Sequence, residues 1–296
     1  EGILIKNVSH ETLSLALMKA LNQKHNGKLS MAIDMFTNTY KRPFFNQLIC
    51  SQLDMDRLDY LKRDSFYSGV TEGNISTDRI IAMLMVHEEQ LVIEEKGIYS
   101  IEKFLLARRL MYWSVYLHKT SYVAEEVLKR IILRARELLK QGTAIDASAD
   151  LLYFISTSHS SIDHIDMGRY TAIDDVDIQS AVKAGVKHSD HVYASLCNMV
   201  LTRRLPKIKV NNEPFSYDFI EKKKKCAKTK FDISPENISY FVFDGVMKNM
   251  AYNLEQSPIL LIDKKRNTKE LLAGSDQSNL KMLTKAVMKY YCCYPK

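Results

Sequence analysis

Between Gln52 and Gly69 the chain reads Gln-Leu-Asp-Met-Asp-Arg-Leu-Asp-Tyr-Leu-Lys-Arg-Asp-Ser-Phe-Tyr-Ser-Gly, and this stretch constrains the fold more than any other. At about 100° per residue, Asp56, Arg57, Asp59, Tyr60, Arg63 and Asp64 share one half of a helix. Met55, Leu58, Leu61 and Phe66 share the other. The pattern predicts a helix with a buried back and a chemical front, closed by Gly69. Asp59 and Arg63 stand in the favourable acid-first i,i+4 order, which suits a solvated face laced with ion pairs. Against that reading, Asp56 and Asp59 are like charges at i,i+3, and Asp56 has Tyr60 rather than a base one turn on. Like charges crowded beside a phenol point to a cation or polyphosphate site.

A chain of 296 residues, 46% hydrophobic and 26% charged with 10 Gly and 6 Pro, has the makings of one large globular domain or two. No apolar run approaches the ~18 residues of a membrane span, and no charged segment followed by an apolar one marks a signal peptide. The expectation is a soluble, cytoplasmic protein with no membrane partner. Its five cysteines form no Cys-x-x-Cys pair, which suits reduced thiols rather than a disulfide frame or a thiolate zinc site. The net charge of +7 favours a polyanionic partner. Because the chain opens on Glu1, it reads as a fragment or a processed chain.

Ahead of the central stretch, Ser9 reads as an N-cap with Glu11 in the first turn, for a helix striped by Leu13, Leu17, Ala20 and Leu21. His10 sits at its mouth. Helices are expected near 29–39 and from Pro43. Ser76 caps a further helix running to about Val86, Gln90–Ile93 is a short strand, and Lys96-Gly97 is a turn. From Ser100 to Gln141 the pattern is helical, as two long helices broken near Thr120. On the first, Arg108, Tyr112, Tyr116 and Lys119 fall within about 80° of arc. That strip suits a base and its phosphates, or else is a core edge whose tyrosines pack and whose bases snorkel. His159 and Asp163 stand at i,i+4 near His164 and Asp166, but Ser160-Ser161 and Gly168 suggest a loop there, so no metal is assigned to this group or to His188 and His191. After Pro206 the texture changes to strands at 207–210, 238–243, 259–262 and 290–294, with helices at 217–226 and 277–288. This predicts a small α+β domain at 206–296 appended to a helical core at 1–205. The basic run Lys222–Lys225 with Lys228 and Lys230, interleaved with Phe219 and Phe231, is a solvated helix face or a nucleic-acid contact.

The string Asp54-x-Asp56-Arg57-x-Asp59-Tyr60-x-x-Arg63-Asp64, followed by Gly69, resembles the second half of the active site of HD-domain phosphohydrolases, specifically the deoxynucleoside-triphosphate triphosphohydrolase branch. Ser9-His10-Glu11 is similar to the His-Glu pair that opens the corresponding helix in that family. Arg108, Tyr116-Leu117-His118-Lys119, the segment Tyr170–Asp175 and the ending Lys289–Lys296 extend the likeness along nearly the whole chain. The resemblance implies a mainly α fold, with an HD-like helical core and a C-terminal α+β domain. It implies attack at the α-phosphorus of a deoxynucleoside triphosphate, releasing deoxynucleoside and tripolyphosphate. Asp56 would be a ligand of a divalent ion (Mg, Mn, Fe, Ni or Zn), and His10 held by Glu11 the acid at the leaving oxygen. Arg57, Arg108 and Lys119 would neutralise the triphosphate, Tyr60 and Asp64 would hold the sugar, and Tyr116 falls where the family contacts base and phosphate; Tyr112 joins the expected site from the shared helix face alone. Family members commonly form homo-oligomers.

Two departures qualify the likeness. Leu117 replaces a glutamine that some members carry. Only eight residues precede Ser9, so the family's upstream His and His-Asp motifs are absent and the chain alone is expected to be near-inactive. The alternatives are a non-catalytic nucleotide-binding or effector-sensing homologue, and a nucleic-acid-binding protein.

Overall fold

The computed structural model describes every residue other than 1, 158, 160, 232, 254–257 and 275–277. The loop expected at Ser160 and the helix start expected at Gln277 fall outside the described residues, as does the side chain of Lys230. In chain order the helices are α1 (His10–Lys24), α2 (Ser30–Phe36), α3 (Phe44–Ile49), α4 (Met55–Ser68), α5 (Thr77–Met83), α6 (Ile98–Met111), α7 (Lys119–Lys140) and α8 (Ala149–Ser156). They continue as α9 (Met167–Ala172), α10 (Asp175–Gly185), α11 (His191–Leu201), α12 (Tyr217–Phe231), α13 (Leu271–Gly274) and α14 (Ser278–Leu283). The strands are β1 (Leu84–His87), β2 (Gln90–Glu94), β3 (Lys207–Asn211), β4 (Phe243–Asn249), β5 (Leu260–Ile262), β6 (Thr268–Glu270) and β7 (Val287–Tyr294). The fold is mainly α, as the sequence leads one to expect. No described helix is long and apolar enough to cross a membrane.

Two compact units share the chain. The first comprises Glu1–Ala20, Lys119–Val246 and Lys289–Lys296; the second comprises Leu21–His118 and Met247–Met288. This division differs from the expected boundary at 205/206, because residues 206–296 are dealt out to both units instead of forming one. Strand pairing supplies the reason. In the second unit the order is β1-β2-β5-β6, with β5 parallel to β2 in the register Val92 opposite Leu260. The edge of β2, left open by the β1–β2 hairpin, carries unpaired backbone groups until β5 covers it. In the first unit β3 runs antiparallel to β7, Lys207 opposite Tyr294 through Asn211 opposite Tyr290.

In the first unit, Ile5, Val8, Leu13, Phe154 and Ile165 form one buried cluster, and Val127, Ile131, Leu138, Tyr193, Leu196 and Phe241 are buried as well. Arg136 on α7 is buried there, donating to the carbonyls of Ile155 and Ile3. The second unit has a core cluster with Leu58, Leu61, Ile80, Ile93, Ile101, Phe104, Leu105, Met111, Tyr252 and Leu261 at its centre.

Local departures from the sequence reading each have a cause. On α4 the inward positions are Leu58, Leu61 and Ser65, and Phe66 is 79% exposed, so the expected place of Phe66 on the buried back is corrected. Ser65 fits because its hydroxyl donates to the carbonyl of Val70, satisfying a buried polar group. The helix after Ser76 stops at Met83 instead of Val86, since Leu84–His87 pairs with Gln90–Ile93. The hairpin turns at Glu88-Glu89, both with positive φ, a pair lacking the usual Asn-Gly signal. The stretch expected as a strand at 238–243 begins as a 3-10 turn, Pro235–Tyr240, before β4.

Two measurements check this packing. A Cβ at Gly73 would lie 2.8 Å from Ser65 Cβ and 2.5 Å from Met111 Sδ; the Met end can yield, but the α4 backbone holds the Ser65 carbon. Gly73→Ala is expected to cost about 1–3 kcal/mol, read as a lower urea midpoint, and an unchanged midpoint would mean the turn shifts freely. Asp190 caps α11 through the Tyr193 N–H and takes two bonds from Arg134, at 2.7 and 3.1 Å. Burial pushes its carboxyl up, but the guanidinium and the N–H outweigh that and hold it below its ordinary 3.8. Such an acid binds fewer protons folded than unfolded, so its stabilisation is complete above about pH 4 and is lost as pH falls through the folded value. Asp190→Asn keeps a capping side chain and removes this titration. Its stability should fall less steeply below about pH 4 than the parent's, and identical acid limbs would count against the pair.

Candidate functional site

The second unit assembles its polar cluster at the start of α4. Asp54 is the N-cap, in extended backbone, and accepts from the Arg57 N–H at 2.7 Å. Its second oxygen accepts from Arg57 Nη1 at 2.9 Å. The carboxyl is 4% exposed, and burial pushes its pKa up against the opposing pull of the Arg57 N–H and guanidinium. Arg57, half-buried, is thereby fixed by a charge-assisted pair.

One and two turns along the same helix, Tyr60 and Asp64 meet the end of α6. Asp64 accepts from the Tyr116 hydroxyl at 2.7 Å. Tyr116 packs edge-on against Tyr112 at 5.1 Å and against Tyr60 at 6.0 Å, the preferred geometry for aromatic pairs. Burial, then the bond to Asp64, raises the Tyr116 phenol, which favours the protonated form that donates to Asp64. Burial also raises Tyr60, with the nearby Arg108 pulling the other way.

Tyr112–Tyr116 forms a π-helical turn, closed by Leu117 N–H donating to the Tyr112 carbonyl at 2.6 Å. The sequence reading treated Arg108, Tyr112, Tyr116 and Lys119 as one helical face. The π turn ends that helix, and Lys119 starts α7 as an exposed residue of the first unit, so Lys119 is not on the strip. Turns of this kind are rare and concentrate at functional sites. Arg108 donates from Nη1 to the Ala251 carbonyl at 3.1 Å, while its Nε is buried with no partner among the described residues.

The remaining expected residues are placed as follows. Asp56 is exposed in the first turn of α4, beside the Asp59–Arg63 ion pair of 2.8 Å. His10 and Glu11 open α1 in the first unit, both exposed, with His10 Nε2 3.2 Å from Glu11 Oε1; a bond from the Ser9 hydroxyl and the helix N–H lower the Glu11 carboxyl. His159 is buried against Tyr153 and Phe154, and Asp166 caps α9. In the basic run, Lys224 pairs with Glu221 and Lys223 lies 3.9 Å over the Tyr294 ring.

HD-type phosphohydrolases generally depend on a divalent metal ion. Among the described residues no group of three or more His, Cys, Asp or Glu is arranged to hold one. On α4, Asp54 is spent on its cap and Arg57, Asp59 on Arg63 and Asp64 on Tyr116. Asp56 can supply one ligand, and one carboxylate does not define a metal geometry. The described residues therefore do not make up a metal site by themselves.

Sequence reasoning missed Gln52, 2% exposed, whose amide both donates to and accepts from the Asn253 backbone, at 2.6 and 2.7 Å. No local pattern signals a partner 201 positions away.

Residues 75–153 match the family described as the HD associated region. The chain is similar over its whole length to the crystal structure of a phosphohydrolase from Bacteroides thetaiotaomicron, with 42% identity and a TM-score of 0.93, and covers 74% of that protein. Among curated sequences it is 31% identical to the uncharacterized protein YwfO of Bacillus subtilis (strain 168), over 58% of this chain and 39% of the relative. It is 25% identical to a deoxynucleoside triphosphate triphosphohydrolase SAMHD1 homolog of Dictyostelium discoideum, over 44% of this chain and 25% of the relative. The chain thus spans less than half the length of the curated relatives it matches here.

The Asp64–Tyr116 bond is testable alone. Hydrogen bonds to charged groups contribute about 1.5–3 kcal/mol, so Tyr116→Phe should lower unfolding stability by about 1–2 kcal/mol while leaving the aromatic packing intact. A variant as stable as the parent would show that Asp64 and water replace the phenol without loss.

Proposed function

We propose that this chain, which belongs to the HD-type phosphohydrolases, binds a deoxynucleoside triphosphate against α4 and the end of α6, and that the protein hydrolyses it to deoxynucleoside and tripolyphosphate. The observation that carries this reading is the wall formed by Tyr60 of α4 with Tyr112 and Tyr116 of the π turn, with Asp64 bonded to Tyr116 and Arg108 in the last turn of α6. A sugar and base need a flat apolar surface with a fixed acceptor, and a triphosphate needs guanidinium donors.

Each residue then has a task its geometry supports. Asp64, already accepting from Tyr116, keeps lone pairs for a sugar hydroxyl. Arg57, held by Asp54, keeps the rest of its donor fork for phosphate oxygens. Arg108 has a buried Nε with no partner among the described residues, a desolvated donor whose satisfaction favours an anion. Charge builds on the leaving oxygen as the bond to phosphorus breaks, so a proton donor would ease its departure. A divalent ion, for which Asp56 would provide one oxygen, belongs to the family's chemistry, and the described residues do not complete its ligand set. The dNTP specificity is supported by the motif around Asp56–Asp64 and by the name of the Dictyostelium relative.

Binding of a non-hydrolysable dNTP analogue to the chain, followed by calorimetry, tests the reading. One charge-assisted contact to phosphate is worth roughly 1.5–3 kcal/mol, so Arg108→Ala should raise the Kd at least about tenfold. An unchanged Kd in a folded variant reduces the strip to core packing.

A further inference from the structure

Arg108 is not fixed by its own helix. Its Nη1 is anchored on the Ala251 carbonyl, and that carbonyl belongs to a backbone segment that several bonds tie down. The Tyr252 N–H donates to the Leu283 carbonyl, and the Tyr252 hydroxyl accepts from the Ile259 N–H. At the far end, the Asn253 N–H and carbonyl both engage the Gln52 amide, at 2.7 and 2.6 Å. Gln52 lies two positions before Asp54, the residue that holds Arg57. A continuous path of short hydrogen bonds therefore runs from Arg108 through Ala251–Asn253 to Gln52, and on to the turn where α4 and Arg57 begin.

The chemistry of the path suits a spacer. A glutamine buried to 2% exposure is costly unless its amide is satisfied, and here one side chain meets both the donor and the acceptor of one residue. That two-point clamp fixes Asn253 in register as a strand partner would, where a single bond would let the segment swivel. Bidentate recognition of phosphate oxygens depends on the relative placement of donors to within about half an ångström, and misplacement of about 1 Å costs up to a hundredfold in comparable sites.

We propose that Gln52 is a positioning residue for the polyphosphate of the bound nucleotide, setting the distance between the Arg57 and Arg108 guanidiniums by bolting Ala251–Asn253 to the start of α4. The inference rests on the proposed role of Arg108, and it assigns the clamp to one part of the ligand, the phosphate chain. Gln52 touches no ligand atom in this account.

The test uses the full chain and inorganic tripolyphosphate as the probe, with calorimetric Kd values for the parent, Gln52→Leu, Gln52→Glu, Arg108→Ala and the double variant Gln52→Leu/Arg108→Ala. Gln52→Leu should weaken binding about tenfold. Gln52→Glu, which keeps the acceptor for the Asn253 N–H and loses the donor to its carbonyl, should fall between. In the Arg108→Ala background, Gln52→Leu should change the Kd by less than about twofold, because the clamp then positions nothing. Circular dichroism and melting curves accompany each variant: a merely structural glutamine would lower the melting temperature and leave the Kd of the folded protein alone. Should Gln52→Leu fail to fold, the Gln52→Glu pair of measurements, with and without Arg108→Ala, decides the same question. If Arg108→Ala weakens binding but the Gln52 effect is absent or fully additive with it, the positioning role is overturned and the binding site stands. If Arg108→Ala leaves the Kd unchanged, the binding site itself falls.

Discussion

The second unit depends on one buried carboxylate. Asp54 has left water almost completely, and burial alone would push it toward its neutral form. It receives the Arg57 N–H and guanidinium together, which offsets part of the desolvation and satisfies an otherwise orphaned helix donor. A cap of this type is worth about 0.5–2 kcal/mol. Its larger consequence is phase. Where α4 begins decides that Leu58, Leu61 and Ser65 face the core and that Asp56, Asp59 and Arg63 face out, and a start displaced by one residue would turn each of them by about 100°.

A second constraint comes from α6. A regular α-helix would continue through Tyr112–Tyr116 and carry its i,i+4 face onward to Lys119. The π turn instead closes on Leu117, so α6 ends where its tyrosines meet α4. The price of the wider turn is poorer backbone hydrogen bonding. It is offset by the edge-on tyrosine contacts and by the phenol's bond to Asp64. Helix termination and the candidate site are therefore one event.

The carboxylates of α4 illustrate how packing assigns roles that charge pattern leaves equivalent. Four aspartates lie within eleven residues, and by spacing alone each suits a cation. In the fold, one is a buried cap, one pairs with Arg63 on the surface, where such pairs contribute little, and one accepts from a phenol. Asp56 is exposed in the first turn of α4. The same logic separates the two neighbouring arginines of α6, since Arg108 is anchored on Ala251 and Arg109 on the carbonyls of Met282 and Lys285.

By itself the sequence determined the elements whose signals are local: α4 with Gly69 in the left-handed conformation at its end, β2 at Gln90–Glu94, α12, β7, and the aromatic and acidic residue types of the candidate site. Helical periodicity, caps and β-branched runs act within a few residues, so they are legible along the chain. Only the tertiary structure decided which of those residues meet. Phe66 lies on the apolar side of the helical wheel yet is exposed, while the polar Ser65 faces inward with its hydroxyl bonded to the Val70 carbonyl. The Gln52–Asn253 clamp, the Arg108 anchor and the pairing of β2 with β5 join positions more than 140 residues apart. Such contacts depend on the closure of a long loop and on the burial of both ends together, and no window of sequence short enough to read contains both partners.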